Sequence, residues 1–145
     1  MNRHFLASAF WALIIMFGSP SAMSADTVSD AAQVKRQATS MAEIKALAQA
    51  TGGYKPKDVE LSSTAHQMTI TIINSKLNTG AIASREAEAT RMVSAISRAI
   101  ADKPEFSQLP VIHVDYLNRQ GKKIKPVQRI DFFQSPSGVF VLHKT

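Results

Sequence analysis

Two histidines and two aspartates in the C-terminal third are the residues of this sequence best suited to chemistry. His113 and Asp115 are two positions apart, and Asp131 and His143 follow in the next two apolar segments. An imidazole oriented by a carboxylate can take a proton from water, and two histidines with one carboxylate can hold zinc. These four residues are therefore the candidates for a small hydrolase or a metal-binding protein.

The motifs that identify common catalytic and cofactor sites are missing from the sequence. It contains no G-x-S-x-G, no H-E-x-x-H, no phosphate-binding loop, no dinucleotide fingerprint and no calcium loop. Histidines and aspartates also occur on sheets as ordinary structural residues, and here Arg129 is available as a cross-strand ion partner for Asp115 or Asp131. We therefore assign no catalytic residue, metal or cofactor, and the sequence favours a non-enzymatic protein over an enzyme.

The candidates are expected on three strands, at about residues 110–118, 126–134 and 138–144, because apolar and polar residues alternate there. Successive side chains of a strand point to opposite faces of the sheet. One face is expected to pack against helices and carries Ile112, Ile130, Phe132, Phe140 and Leu142. The opposite face carries His113, Asp115, Arg129, Asp131 and His143.

This second face also carries apolar residues, namely Ile73, Val111, Phe133, Val139 and Val141. A sheet face open to solvent is normally polar, so this much apolar surface predicts a cover. We rank a second copy or a protein partner in the periplasm above the N-terminal segment or a ligand. The predicted interface residues are Val111, Arg129, Phe133, Val139 and Val141. Residues 138–143 are apolar on both faces, which predicts a central strand.

Four cations crowd residues 118–126, which are predicted to be the loop between the first two of these strands: Arg119, Lys122, Lys123 and Lys125. Like charges this close repel unless they are solvated or meet an anion. The loop is therefore an alternative binding site, for an anionic component of the cell envelope. Few aromatic residues accompany it, so the pattern does not favour nucleic acid.

Helices and a hairpin are expected ahead of these strands. A capping box at Ser40 predicts a helix that ends at Gly52, and residues 30–39 either continue this helix or form a separate one. Alternation over 59–72 predicts a hairpin.

A second helix is expected over about 84–102, capped by Ser84. Its apolar stripe runs from Ala89 to Ile100, with Arg85, Arg91 and Arg98 on a solvated face. The predicted fold is α+β, in the order α-β-β-α-β-β-β. It has a mostly antiparallel sheet of about five strands and two helices packed on one face.

Residues 1–25 have the pattern of a signal peptide: Arg3, an apolar run over 5–18, and small residues before the expected cleavage site. The apolar run is shorter than the ~20 residues of a membrane-spanning helix. We therefore expect a periplasmic or secreted protein with a single α+β domain over 26–145 and no transmembrane segment after cleavage. Its net charge of +6, about +5 without Arg3, favours acidic partners. Without cysteine, core burial must hold the domain together.

Overall fold

The structure, a computed structural model, describes residues 24–144. In this range the chain forms two α-helices and five β-strands in the predicted order, α-β-β-α-β-β-β. Helix α1 spans Ser24–Gly52 and helix α2 spans Ile82–Ile100. The strands β1 to β5 span Val59–Ser63, Met68–Ile73, Val111–Gln120, Lys123–Gln134 and Phe140–His143. The predicted signal peptide lies outside the described residues, apart from the first two residues of α1.

The strands form one sheet in the order β1-β2-β3-β4-β5. Neighbouring strands are antiparallel except β2 and β3, which are parallel. A parallel pair needs a long crossover, and α2 supplies it. The sheet is therefore mostly antiparallel, and the α+β fold predicted from the sequence is confirmed.

The core lies between the helices and one face of the sheet. On β3 the side chains of Ile112, Val114 and Tyr116 are buried, whereas those of His113 and Asp115, which alternate with them, are half-buried. Helix α2 contributes the predicted stripe, and all its members are buried: Ala89, Met92, Val93, Ile96 and Ile100. The alternation read from the sequence therefore identifies the face of β3 that packs on the helices.

Helix α1 is continuous through residues 30–39, so the capping box predicted at Ser40 is wrong. Ser40 lies in the middle of the helix, where backbone N–H groups already have partners within the helix. Its hydroxyl instead donates a 2.6 Å hydrogen bond to Glu105 Oε1. The helix stops before Gly53, whose φ of 68° lies in the left-handed region that glycine accommodates.

Helix α2 begins two residues earlier than predicted, with Ala81 at the cap position and no side-chain cap. Ser84 therefore lies inside the helix, and its predicted capping role is wrong. The placement of Arg85 on a solvated face is also wrong, because its side chain is only 5% exposed. Arg85 precedes Ala89 by one helical turn, so it extends the buried stripe.

Strands β3 and β4 extend through most of the region predicted as a loop. Only Gly121 and Lys122 remain between them, and Gly121 has a φ of 59°, as tight hairpin turns require. The pairing register shifts beside Pro126, which lacks the N–H that a regular ladder uses.

Strand β5 lies at the edge of the sheet and pairs with β4 alone, so the prediction of a central strand is wrong. On one face of β5, Phe140 and Leu142 pack on the core. On the other face, Val141 is exposed although it is apolar.

Candidate functional site

The four candidate residues and Arg129 lie together on the sheet face turned away from the helices, here called the open face. Across β3 and β4, His113 is opposite Asp131 and Asp115 is opposite Arg129. His143 on β5 is opposite Asp131 on its other side. The register thus forms a continuous polar row from β3 to β5.

His113 and Asp131 form a hydrogen-bonded pair on this face. The distance from His113 Nδ1 to Asp131 Oδ1 is 2.7 Å. A carboxylate accepts, so the proton of this bond is on Nδ1 and the neutral ring offers Nε2 as an acceptor. Among the side chains that the structure describes, those of residues 30–144, no serine or threonine hydroxyl is hydrogen-bonded to Nε2. The pair is an oriented imidazole without an adjoining nucleophile in the described part of the chain.

Asp115 and Arg129 form the second pair. Arg129 donates from Nε and from Nη2 to the two carboxylate oxygens of Asp115, each at 2.7 Å. These hydrogen bonds and the charge of Asp115 raise the pKa of Arg129. Asp115 is poorly placed to act as a base or a metal ligand, because both of its carboxylate oxygens already accept hydrogen bonds from Arg129.

His143 contacts an aromatic ring instead of joining these pairs. Its ring is edge-on to that of Phe133, with centroids 5.1 Å apart and an interplanar angle of 75°. Among the described side chains of residues 30–144, no group of three or more histidines, cysteines, aspartates or glutamates is arranged to hold a metal ion. The open face thus consists of pairs rather than one convergent site.

An exposed apolar patch lies beside the polar row, at the edge formed by β5. Phe133, Val139 and Val141 are 44%, 55% and 51% exposed, and we call these three residues the edge patch. Val111 is half-buried and is opposite Phe133, which in turn is opposite Val141. Val111, Phe133 and Val141 are therefore neighbours across three strands, and Arg129 lies on the same face opposite Asp115. Ile73 on β2 has the parity of the open face, as predicted, but it is buried beside Leu117 and is not part of the edge patch.

The four predicted anion-binding cations separate into two groups. Arg119 donates a 2.9 Å hydrogen bond to Glu60 on β1, which ties it to the open face. Lys122, Lys123 and Lys125 are exposed and form no salt bridge within the described residues. We call these three lysines the basic hairpin end.

A buried polar cluster, which the sequence reasoning missed, lies between the sheet and the helices. Glu88 on α2 is 7% exposed, and its Oε1 accepts hydrogen bonds from Tyr54 at 2.6 Å and from Tyr116 at 2.9 Å. Because the single phenolic proton of Tyr54 goes to Glu88, the Ser75 hydroxyl donates to Tyr54 at 2.7 Å. Ser75 in turn accepts from the backbone N–H of Leu77. The donor and the acceptor of each hydrogen bond in the cluster are therefore assigned.

Both tyrosines of the cluster are held in the neutral form. Burial and the hydrogen bond to Glu88 raise the pKa of Tyr54. Burial and the negative charge of Glu88 raise the pKa of Tyr116. An ionised phenol here would be desolvated and would repel the carboxylate, so both groups act as donors and not as bases.

Arg85 closes the cluster toward the strands. Its Nε donates to Gln128 Oε1 at 2.6 Å, and its Nη1 donates to the backbone oxygens of Leu77 and Gly80 at 2.7 and 2.9 Å.

Helical spacing could have identified Arg85 and Glu88 as buried, since they precede Ala89 and Met92 by four positions each. A charged pair that continues an apolar stripe indicates buried polar partners.

Comparisons of the chain with protein-family models, with curated proteins and with solved structures find no match. Over residues 24–144, neither helix combines the length and the apolar character needed to cross a bilayer. The features of the molecule that bear on its function are the open face, the edge patch and the buried polar cluster.

Proposed function

We propose that this chain is an exported, non-enzymatic interaction domain that associates with a second copy of itself through the edge patch and strand β5. One observation carries the proposal: exposed apolar side chains border an edge strand whose outer side has no strand partner in the described sheet. Such an edge is a template for pairing with another chain unless charge, proline or a covering segment blocks it. Residues 140–143 contain no proline and no lysine.

The charges of the open face support apolar contact rather than charge-driven contact. Asp115 is paired with Arg129 and Glu60 with Arg119 within one copy, and Asp131 is hydrogen-bonded to His113. A second copy would therefore meet charged side chains that already have partners, beside apolar area that contact would remove from water. This arrangement suits two chains that each carry a net positive charge.

The opposite edge of the sheet lacks these properties. Strand β1 exposes Glu60 and Ser62 to solvent, whereas β5 exposes Val141. Polar side chains are a common way of protecting an edge strand. The asymmetry between the two edges favours β5 as the associating strand.

A two-fold axis constrains how two β5 strands can pair. In an antiparallel pair, residues directly opposite one another have their side chains on the same face of the sheet. The open faces of two copies therefore form one continuous face only when an open-face residue of one β5 is opposite an open-face residue of the other. Pairing centred on Val141 meets this condition. It places Val141 opposite its own copy and Phe140 opposite the second copy's Leu142.

A cysteine at the axis tests this geometry directly, because the chain contains no cysteine. Facing residues of an antiparallel pair have Cα atoms about 4.5 to 5.5 Å apart, within the about 4.4 to 6.8 Å that a disulfide spans. We expect Val141→Cys to form a covalent dimer under mild oxidation. Val34→Cys on α1, where the native residue is 65% exposed, is the matched control and should form far less.

Light scattering over a range of concentrations gives the second readout. The wild-type protein should pass from monomer to dimer, and Val141→Lys should remain monomeric because it places two like charges on the axis. Val34→Lys should dimerise normally. A monomer at every concentration, or a dimer in which Val141→Cys crosslinks no better than Val34→Cys, would contradict the proposal.

The basic hairpin end supports a second candidate function, attraction to an anionic component of the envelope. Lys122, Lys123 and Lys125 have no acidic partner in the described chain, and Ile124 between them is exposed. Each lysine close to an anionic surface contributes about 1 kcal/mol of attraction. Replacing all three by glutamine should therefore abolish sedimentation with vesicles that contain anionic lipid.

The matched control for this test replaces Lys35, Lys45 and Arg98 by glutamine. Lys35 and Lys45 lie on α1, and Arg98 lies in the last turn of α2, which leads to the end of β3 opposite the hairpin, so the net charge falls equally while the basic hairpin end is kept. Equal losses of vesicle binding in the two triple variants would show that overall charge, and not the hairpin, is responsible.

A further inference from the structure

A cavity of about 500 Å³ lies next to the buried polar cluster, where the end of α1 approaches the start of α2. Its walls come from the chain that leaves α1, from the turn after β2, and from Glu88 on α2. The volume is within the range of small-molecule sites. The residues that line it include Gly52, Gly53, Lys55, Lys76, Leu77 and Glu88. We call it the Glu88 cavity.

The carboxylate of Glu88 makes the inner wall of the cavity negative. Its Oε1 accepts from Tyr54 and Tyr116, whereas Oε2 has no hydrogen-bond partner among the described residues. Oε2 is also not among their fully buried unpaired atoms, so it reaches the open space of the cavity. No cation of the described chain forms a salt bridge with this carboxylate. A buried carboxylate oxygen that lacks a hydrogen-bond donor is destabilising, and a ligand ammonium group would supply one.

The end of α1 adds to this negative potential. Gly52 and Gly53 line the cavity, and the last turn of α1 carries no basic residue. The carbonyl end of a helix has a partial negative charge that attracts cations over about one turn. This second source of negative potential is independent of Glu88.

The rim of the cavity has a net charge of the opposite sign. Lys55 and Lys76 are exposed and both line the opening, together with one acidic residue, the half-buried Asp58. A ligand with only a positive charge would be repelled as it passes them, whereas a carboxylate at its outer end would be attracted. The apolar side chain of Leu77 also lines the wall, which suits a ligand that carries a small apolar group.

We infer that the Glu88 cavity binds a small zwitterion, an amino acid or a short peptide. Its ammonium group binds at Glu88 Oε2, and its carboxylate lies toward Lys55 and Lys76. The site is distinct from the edge patch, so the inference goes beyond self-association and is independent of it. Tyr54 and Tyr116 hold the carboxylate in position and do not contact the ligand ammonium through their donated protons.

Isothermal titration calorimetry with L-leucine and L-alanyl-L-leucine tests the inference on the exported protein. We expect at least one of the two to bind, and its N-acetylated form to bind at least about 10-fold more weakly, which corresponds to about 1.4 kcal/mol. The C-amidated form should lose a smaller factor, because the rim lysines are solvated. If neither compound binds, or if N-acetylation leaves the affinity unchanged, the inference is wrong.

Glu88→Gln tests the role of the carboxylate while keeping the acceptor oxygen for the tyrosines. It should lose at least about 10-fold in affinity, the equivalent of about 1.4 kcal/mol. Glu86→Gln makes the same change two positions away on α2, outside the residues that line the cavity, and should bind normally. If Glu88→Gln does not fold, the acetylated and amidated ligands still decide the question on the wild-type protein. Equal affinity in a folded Glu88→Gln variant would overturn the assignment of Oε2.

Discussion

Tyr116 on β3 donates a 2.9 Å hydrogen bond to Glu88 Oε1 on α2, across the layer between the sheet and the helices. Both residues are buried, so this bond is shielded from water. It joins the central strand of the sheet to the crossover helix. Changes at either residue should therefore affect the whole domain and not one surface.

Tyr116→Phe should lower the free energy of unfolding by about 1 to 3 kcal/mol, because it removes a donor from a buried carboxylate. Urea unfolding followed by circular dichroism measures the loss. Thr90→Ala is the control: it removes a hydroxyl that bonds the Glu86 carbonyl on the exposed side of α2, and it should change stability by less than about 0.5 kcal/mol. Equal losses of stability in the two variants would mean that the hydrogen bond from Tyr116 does not stabilise the buried Glu88 carboxylate.

Alkaline pH should destabilise the protein through the two tyrosines, which are the only ones in the sequence. Their pKa values are raised in the folded state from the ordinary 10.0, so above about pH 10 the unfolded chain loses phenolic protons first. The folded state then binds more protons than the unfolded state, and stability falls as the pH rises.

Chemical unfolding at several values from about pH 8 to about pH 11 measures this fall. The double variant Tyr54→Phe with Tyr116→Phe should show a smaller alkaline slope, since the lysines titrate in both proteins alike. Identical slopes in the two proteins would place both phenols in contact with solvent.

Arg85→Lys should destabilise the domain by about 2 kcal/mol or more, although the charge is kept. The guanidinium bonds Gln128 and the backbone oxygens of Leu77 and Gly80 in three directions, which a lysine ammonium on a flexible chain cannot reproduce. Arg91→Lys on the exposed side of the same helix should be nearly neutral. Thermal unfolding of the two variants gives the comparison, and equal melting temperatures would contradict the structural role of Arg85.

Gly52→Ala should destabilise the protein even though alanine normally stabilises a helix by about 0.5 to 1 kcal/mol relative to glycine. A Cβ at this position would overlap the ring of Tyr54, whose hydroxyl bonds Glu88. Gly80→Ala is the control, because a Cβ there would lie 3.4 Å from the Leu77 carbonyl oxygen and would need little adjustment. A more stable Gly52→Ala variant would show that the Tyr54 ring can move without loss.

Most of the sheet could be derived from the sequence because strand periodicity depends on local alternation. Ile112, Val114 and Tyr116 pack on the helices, and the intervening His113 and Asp115 lie on the open face, as parity requires. The pairing partners could not be derived in this way. That His113 meets Asp131, and Asp115 meets Arg129, depends on the register of β3 with β4, which involves residues distant in the sequence.

The errors at Ser40 and Arg85 have a common cause. A capping motif or a charge on a helix has several stable environments, and local sequence alone does not distinguish them. Ser40 bonds Glu105, which is 65 positions away, and Arg85 bonds Gln128, which is 43 positions away. Tertiary contacts of this kind override the local preference for a cap or a solvated face.

By itself, the sequence determined the fold class, the order of elements and the two faces of β3, since these follow from the spacing of apolar residues along the chain. Only the tertiary structure decided that β5 is an edge strand, that the polar residues of the open face form separate pairs, and that Glu88 is buried beside a cavity. The physical reason is that strand order, register and the enclosure of a charge are set by contacts between segments far apart in the sequence, which no local pattern encodes.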